Sequence, residues 1–348
     1  MLHNIDILGI MKSSFFKEQI DLMTPKGATI RHSKDAYKYS KIPIPKKSLI
    51  KKISMLTKSY ILKERLLRDK FYSINEIISN ELKENQKSNS FEYKLLTFND
   101  LIENNRFDTG LYTENFKKIE HLIKNYKNGS DTITNLGFYS IRGQNLAVSV
   151  IGKSIYSDKE KHNFYKLFLP THITKYGTIS KVIYFGNSRN LIEVKNGDII
   201  FGAEGFEKGR SHILTHQVGK LTTNYHGTIL RGENKKDYES IFLKCMLDWY
   251  REKGIIDAIA VGGNGGSFST KYWNFLHLPK FEDKKQKKIA KLYSNHKDTY
   301  INHILNFNPD KFEEDDKKVN KDSGILDLDI QIKTIKNLIN NEIKEIVS

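Results

Sequence analysis

Eleven histidines, one cysteine and a scatter of carboxylates are the residues of this chain that could do chemistry, and their spacing assembles none of the usual sites. His212, His216 and His226 are the densest histidine group. A zinc site would need a further ligand at matched spacing. No carboxylate stands at that spacing, so we expect no metal. Pro309-Asp310 with Asp315 and Lys317 has the residue types of a metal-dependent nuclease. The interval is too short for the hairpin that brings such carboxylates onto one ion, so residues 313–318 read as a solvated charge run. Asn306-Phe-Asn-Pro-Asp310 lacks the second proline and the aromatic residue of a methyltransferase Asn-Pro-Pro-Tyr motif. There is no phosphate-binding loop with its lysine, and Gly263-Asn264-Gly265-Gly266 is only a fragment of a dinucleotide pattern. There is no Gly-x-Ser-x-Gly elbow. Cys245 lies on an expected helix and reads as a buried thiol. We therefore expect no catalytic residue and no bound cofactor.

What remains is a binding surface. The 348 residues carry 57 Lys and Arg against 41 Asp and Glu, a formal net charge of +16. A chain this basic points to a polyanion, most often nucleic acid. The candidate DNA-contacting residues lie in Gly- and Asn-punctuated loops: Arg142 and Gln144; Lys153; Lys175; Asn187 and Arg189; Lys208, Arg210 and His212; Asn264, Ser267, Ser269 and Thr270. Arg, Asn, Gln and Ser/Thr read base edges, and Lys and Arg neutralise phosphates. No apolar run reaches the ~18 residues that a membrane span needs, and no signal-peptide core opens the chain. A single cysteine excludes an internal disulfide and fits a reducing cytoplasm.

Residues 46–82 must position that surface. They contain no Gly or Pro and set Leu49, Ile53, Leu56, Tyr60, Leu67, Phe71, Ile74, Ile78 and Leu82 at three- and four-residue steps, broken only by Lys63. So narrow a stripe needs a partner helix. At about 1.5 Å per residue the helix is roughly 55 Å long, a strut more than a core element. Residues 328–347 repeat the pattern with Leu328, Ile332, Ile335, Ile339 and Ile346, and a further helix is expected from 281 to about 305. Between the helices, residues 91–280 read as a mixed α/β domain. A helix is expected at 113–127, short strands at 147–151, 181–185, 198–201 and 226–230, a helix at 238–253, and a loop at 261–270. Residues 84–90 form a polar hinge, and residues 1–45 hold too few elements for a domain. An internal repeat links Gly27…Ile42-Pro43-x6-Ile50-x2-Ile53 to Gly266…Leu278-Pro279-x6-Gln286-x2-Ile289, each a glycine loop leading through proline into a helix.

In this order the parts resemble the DNA-specificity subunit of type I restriction–modification systems. The resemblance rests on Arg106-Phe107-Asp108 followed by Tyr112, on Asn196-Gly-Asp-Ile-Ile-Phe201, and on Leu278-Pro279…Gln286-x2-Ile289-Ala290. It covers residues 24–305. It implies an α+β chain: a mixed α/β target recognition domain with many short strands, flanked by long coiled-coil-like spacer helices that pack antiparallel. The expected domains are 1–45, the C-terminal remnant of a first target recognition domain; 46–84, a spacer helix; 91–280, a complete target recognition domain; and 281–348, a second helical spacer and tail. The resemblance also implies the partners: double-stranded DNA, an adenine-N6 methyltransferase subunit, and a restriction or translocase subunit. A homodimer through the helices would supply a second recognition domain. The competing readings are a stand-alone restriction endonuclease, an inactive fragment of a split or decayed specificity gene, and an anti-restriction mimic, against which the positive charge argues.

The isolated chain is expected to show neither nuclease nor methyl-transfer activity on duplex DNA. Turnover by the purified chain, abolished by replacing one of its carboxylates, would overturn this reading.

Overall fold

The apolar stripe folds as one helix, Lys47–Glu84. In the computed structural model, which describes residues 4–25, 33–88, 90–216, 219–262 and 265–347, the stripe is buried along almost its whole length. Ile53, Leu56, Tyr60, Leu67, Phe71, Ile74, Ile78 and Leu82 are each buried, and Leu49 is half-buried. The chain divides into two compact units within this helix: Met1–Lys70 with Asn295–Ser348, and Phe71–Ser294.

The first unit is helical. Asn4–Met11, Ser14–Met23, Ala36–Tyr39, the long helix up to Lys70, Asn302–Leu305, Phe312–Asp322 and Ile325–Val347 make it up. Lys52 pairs with Glu342, and Lys63 bonds to Gln331. A step forward on the long helix is thus a step back on Ile325–Val347, so the two run antiparallel. Ile332, Ile335, Ile339 and Ile343 fill the seam. Asn4–Met11 comes close enough that a Cβ on Gly9 would stand 2.3 Å from Thr57 Oγ1.

Lys63, the residue that breaks the stripe, is fully buried. Its ammonium meets Asp316 Oδ1 at 2.6 Å, Asn320 Oδ1 at 2.5 Å and Gln331 Oε1 at 2.6 Å. The other lone pairs of Asp316 accept from Ser59 Oγ at 2.9 Å and Asn320 Nδ2 at 3.1 Å, and His303 Nε2 lies 2.9 Å from Oδ1. Burial favours the neutral lysine, against the pull of Asp316 toward the charged form. Burial would also raise the Asp316 carboxyl, but His303, Lys63 and Ser59 hold it down to about 2.

Three local expectations are corrected. Residues 281–305 are not one helix. Asp283–Tyr293 ends before a break at which the Asn295 and His296 amides donate to the Asp327 carboxylate at 2.8 and 3.1 Å, and the chain resumes in short helical turns. The charge run 313–318 lies on the helix Phe312–Asp322 and is not wholly solvated, since Asp316 is buried against Lys63. Residues 147–151 are a helical turn, Val148–Ile151, because the Asn145 side chain caps the Ala147 amide and Gly152 (φ 77°) closes the other end. Of the repeat, Leu278-Pro279 lies in the strand His277–Pro279, whereas residues 40–46 hold no strand. Gly27 lies outside the described residues.

The second unit is built on two four-stranded sheets. In one, Phe138–Arg142, Gly227–Gly232, Ile199–Gly202 and Ser211–Ile213 lie side by side, all antiparallel. In the other the order is Ile155–Ser157, Ile183–Gly186, Tyr165–Leu167 and Leu221–Thr222, with the last pair parallel. Phe168, Ile173, Ile179, Val194, Ile200, Leu214, Leu221 and Ile229 form one core cluster. The helix Asp237–Glu252 is almost wholly buried, including the ion pair Lys244–Asp248. The long helix anchors here through Phe71 against Tyr176, Ser79 accepting from Trp249 Nε1 at 2.8 Å, and Glu81, which receives Tyr126 and Lys285.

Two of the motif stretches are structural in this unit. Arg106 is forked onto Asp108 at 2.7 Å through both Nε and Nη2, lies over the rings of Tyr272 and Phe275, and its carbonyl receives the Tyr112 hydroxyl at 2.8 Å. Asp198 accepts from Arg231 at 2.9 and 2.6 Å and from the Lys195 amide at 2.7 Å, fixing the turn that opens the strand Ile199–Gly202.

Removing the Asp316 carboxylate strands a buried ammonium. Asp316→Ala is expected to cost about 3–5 kcal/mol. In a double-mutant cycle by denaturant unfolding, Lys63→Met with Asp316→Ala should lose less than the two single changes summed; strict additivity would refute the pair.

Candidate nucleic-acid interface

The ends of three neighbouring strands converge at one edge of the antiparallel sheet, where Arg142 lies opposite Thr228 and Gly202 opposite Gly227. The approach there is close: a Cβ on Gly143 would sit 2.1 Å from the Asn224 carbonyl oxygen. The Gln144 amide donates to the Thr223 carbonyl at 2.8 Å, and its side-chain oxygen accepts from the Ile192 amide at 3.1 Å.

At this edge Arg142 pairs with one oxygen of Glu204, and His226 Nδ1 meets the other at 2.5 Å. The ring of Tyr225 lies 4.0 Å from that of His226, and the Arg142 guanidinium is 5.8 Å from the Tyr225 ring. Side-chain exposures of 38% for Arg142, 28% for Glu204 and 44% for His226 leave the group open to solvent while its members hold one another. Burial would raise the Glu204 carboxyl, but His226 and Arg142 outweigh it and keep the group below the ordinary carboxylate range. Ser267 joins this edge through backbone bridges to Glu204 and Val261. Lys208 donates to the Gly265 carbonyl at 2.6 Å and pairs with Asp257. Between them, Phe206 is 88% exposed. Arg142, Gln144, Lys208 and Ser267 are therefore brought together.

A second group lies on the loops at 150–154 and 187–189. The Asn187 amide reaches the Ser154 hydroxyl at 2.8 Å and the Ile151 and Lys153 carbonyls at 3.2 and 3.3 Å, while its oxygen accepts from the Arg189 amide at 2.8 Å. It ties the two loops together. The exposed Arg189 donates to the Val150 carbonyl at 2.7 Å, and Lys153, exposed, follows Val150 on the same loop. Val148, Ile155 and Tyr156 lie bare in the same segment.

Lys175, Arg210 and His212 gather around the turn 173–177. Lys175 is exposed over the Tyr176 ring, and a hydrogen bond with the Tyr176 hydroxyl holds its ammonium above the usual lysine range. Arg210 donates to the Ile173 carbonyl at 3.2 Å and pairs with Glu207. His212 is buried, with Nδ1 2.8 Å from the Gly177 carbonyl, which also receives the Tyr293 hydroxyl at 2.9 Å. Gly177 itself has φ 78°, and a Cβ there would fall 2.1 Å from Lys244 Nζ. Ser269 caps the turn Thr270–Phe275, on which Thr270 is exposed. Asn264 lies outside the described residues.

Among the described residues no three His, Cys, Asp or Glu side chains gather to hold a metal ion. Burial pushes the Cys245 thiol up to about 12.

No protein-family model matches this chain, and no curated protein does. Three solved structures of low identity are similar to it. One is a chain from a structure on the assembly and conformational transition of a type I restriction–modification system: 12% identity, TM-score 0.36, covering 95% of this chain and 70% of the other. A second is the HsdS subunit from Thermoanaerobacter tengcongensis: 12% identity, TM-score 0.37, covering 98% and 69%. The third is the type I restriction–modification S subunit from M. genitalium: 14% identity, TM-score 0.33, covering 95% and 72%.

Sequence reasoning missed Glu204 and Tyr225, and treated His226 only as a metal ligand. A search for cations and amides passes over a carboxylate. The available signal was position: Glu204 lies just past the predicted strand 198–201, His226 opens the predicted strand 226–230, and neighbouring strand ends share an edge.

If Asn187 ties two loops, Asn187→Ala is expected to cost about 0.5–1.5 kcal/mol by removing part-buried hydrogen bonds between them. Thermal unfolding of the variant reads this directly, and an unchanged transition would mean that the loops hold without it.

Proposed function

We propose that this chain is a non-catalytic, sequence-specific DNA-binding subunit that directs partner methyltransferase and restriction subunits to a target site. The observation that carries the reading is the strand-end group of Arg142, Gln144, Glu204, Tyr225 and His226, half-open to solvent on a chain of net charge +16. Cationic forks, amides and an aromatic face are what base edges and phosphates require. Arg189 and Lys153 flank it as phosphate contacts, and Lys175 is a third such cation. His212 and Asn187, turned inward, hold the loops instead.

The resemblance in sequence to type I specificity subunits supplies the partners. Adenine-N6 methyl transfer and ATP-driven restriction would belong to subunits docked through the helical parts, and this chain would work beside them in the cytoplasm. No helix among the described residues is long and apolar enough to cross a membrane. Residues 91–280 act as one target recognition domain, so a second copy of the chain, packed through the helices, would read an interrupted palindrome. Co-expression with an adenine methyltransferase of such a system, followed by mapping of methylated adenines, tests this. A gapped palindrome supports the paired copies, and an asymmetric bipartite site assigns the second half to another chain.

Binding to duplex DNA is expected to weaken steeply with salt, with a log–log slope of about 0.9 per phosphate neutralised. Arg189→Ala and Lys153→Ala should each flatten the slope by roughly that amount. An affinity that is flat between low and high salt would remove the electrostatic basis of the proposal.

A further inference from the structure

A carboxylate in a DNA-facing group has to be accounted for. Every phosphate repels Glu204, so non-specific binding gains nothing from it. The groups of duplex DNA that favour a carboxylate are the amino donors on base edges, and the usual partner of Glu in the major groove is cytosine N4. Beside it stands Arg142, whose fork matches O6 and N7 of guanine. The two side chains touch, they stand at the ends of the strands on either side of Gly227–Gly232, and both are open to solvent. Guanine acceptors and the cytosine donor are likewise adjacent on one base pair.

From this we infer that Arg142 and Glu204 together read one G·C base pair, Arg142 donating to the guanine and Glu204 accepting from the cytosine. This rests on the DNA-binding reading above. His226 holds the second oxygen of Glu204 and fixes the direction in which the carboxylate points. Tyr225, against His226, gives the group an apolar floor. In the free protein the two charges satisfy each other, so neither is left unpaired before DNA arrives. An A·T pair at the same position would place the thymine O4 acceptor and its methyl group, in place of the cytosine donor, against Glu204, and a C·G pair would set the guanine acceptors against it. The carboxylate therefore works chiefly by rejecting wrong base pairs, which is how specificity is gained without affinity.

The test is selection of duplexes from a randomised pool by the full-length chain, comparing wild type with Glu204→Ala, Glu204→Gln and Arg142→Ala. Glu204→Gln keeps the shape and can still bond to Arg142 and His226, which guards against a folding artefact. Wild type should enrich one invariant G·C position. Glu204→Ala should retain DNA binding, with equal or higher affinity for non-target duplex, and lose about 10- to 100-fold of the preference at that one position. Arg142→Ala should relax the same position. If wild type selects a sequence and the Glu204 variants select the same one at every position, this inference falls and the DNA-binding reading stands. If wild type retains no duplex at any salt concentration, both fall together.

Discussion

The helical unit depends on one buried charge. A stripe of Ile, Leu, Tyr and Phe would let two antiparallel helices slide by a turn with little loss, since apolar contacts are non-directional. Lys63 ends that freedom. With no solvent around it, its ammonium must find oxygen, and Asp316, Asn320 and Gln331 supply it from two other helices. A one-turn slip would leave the ammonium without these oxygens in an apolar seam, at a penalty larger than any single apolar contact regains. The pair fixes register in the way a buried polar residue does in a coiled coil. Asp316 in turn organises Ser59, Asn320 and His303, so the helix Phe312–Asp322 is tied to the same point.

The β unit uses the same device. Lys244 and Asp248 form a buried ion pair on a helix that is otherwise core, and Gly177 is the residue that leaves room for the ammonium. His212 and Tyr293 close over the Gly177 carbonyl. The turn 173–177 is thereby held from below, and Lys175 is presented outward from it. Arg106, Asp108 and the two rings beneath the guanidinium clamp the start of the unit to the turn Thr270–Phe275. Desolvated charges that are paired give these loops a definite pose, which a reader of base edges needs.

The two kinds of polar cluster divide the work. Where polar side chains are buried and paired, as at Lys63, Lys244 and His212, they hold shape. Where they are paired but half-open, as at Arg142, Glu204 and His226, they keep a defined geometry in the free protein and can exchange partners with a ligand. The second kind suits recognition, because little order remains to be imposed when the ligand binds.

Periodicity alone determined much of this protein. The 3-4 alternation named the long helix to within two residues at its ends, named its buried face, and placed the C-terminal helix, because burial of a stripe is a property of spacing. The strands at 181–185, 198–201 and 226–230 were legible from β-branched and aromatic runs between glycine turns. The charge balance and the residue types of the loops were legible too. The tertiary structure decided what depends on partners distant in the chain. Lys63 looked like a flaw in the seam, yet it is the residue the seam is locked by, since its ligands lie more than 250 positions away. His212 and Arg142 are equally plausible in sequence as DNA contacts; one is buried by a turn from another strand pair, and the other is left half-open at a strand end. The break near residue 295 was set by Asp327, and the edge that gathers Arg142, Glu204 and His226 was set by strand pairing. Local pattern specifies which face of an element is apolar, whereas the desolvation and pairing of a charge depend on whatever the fold brings beside it.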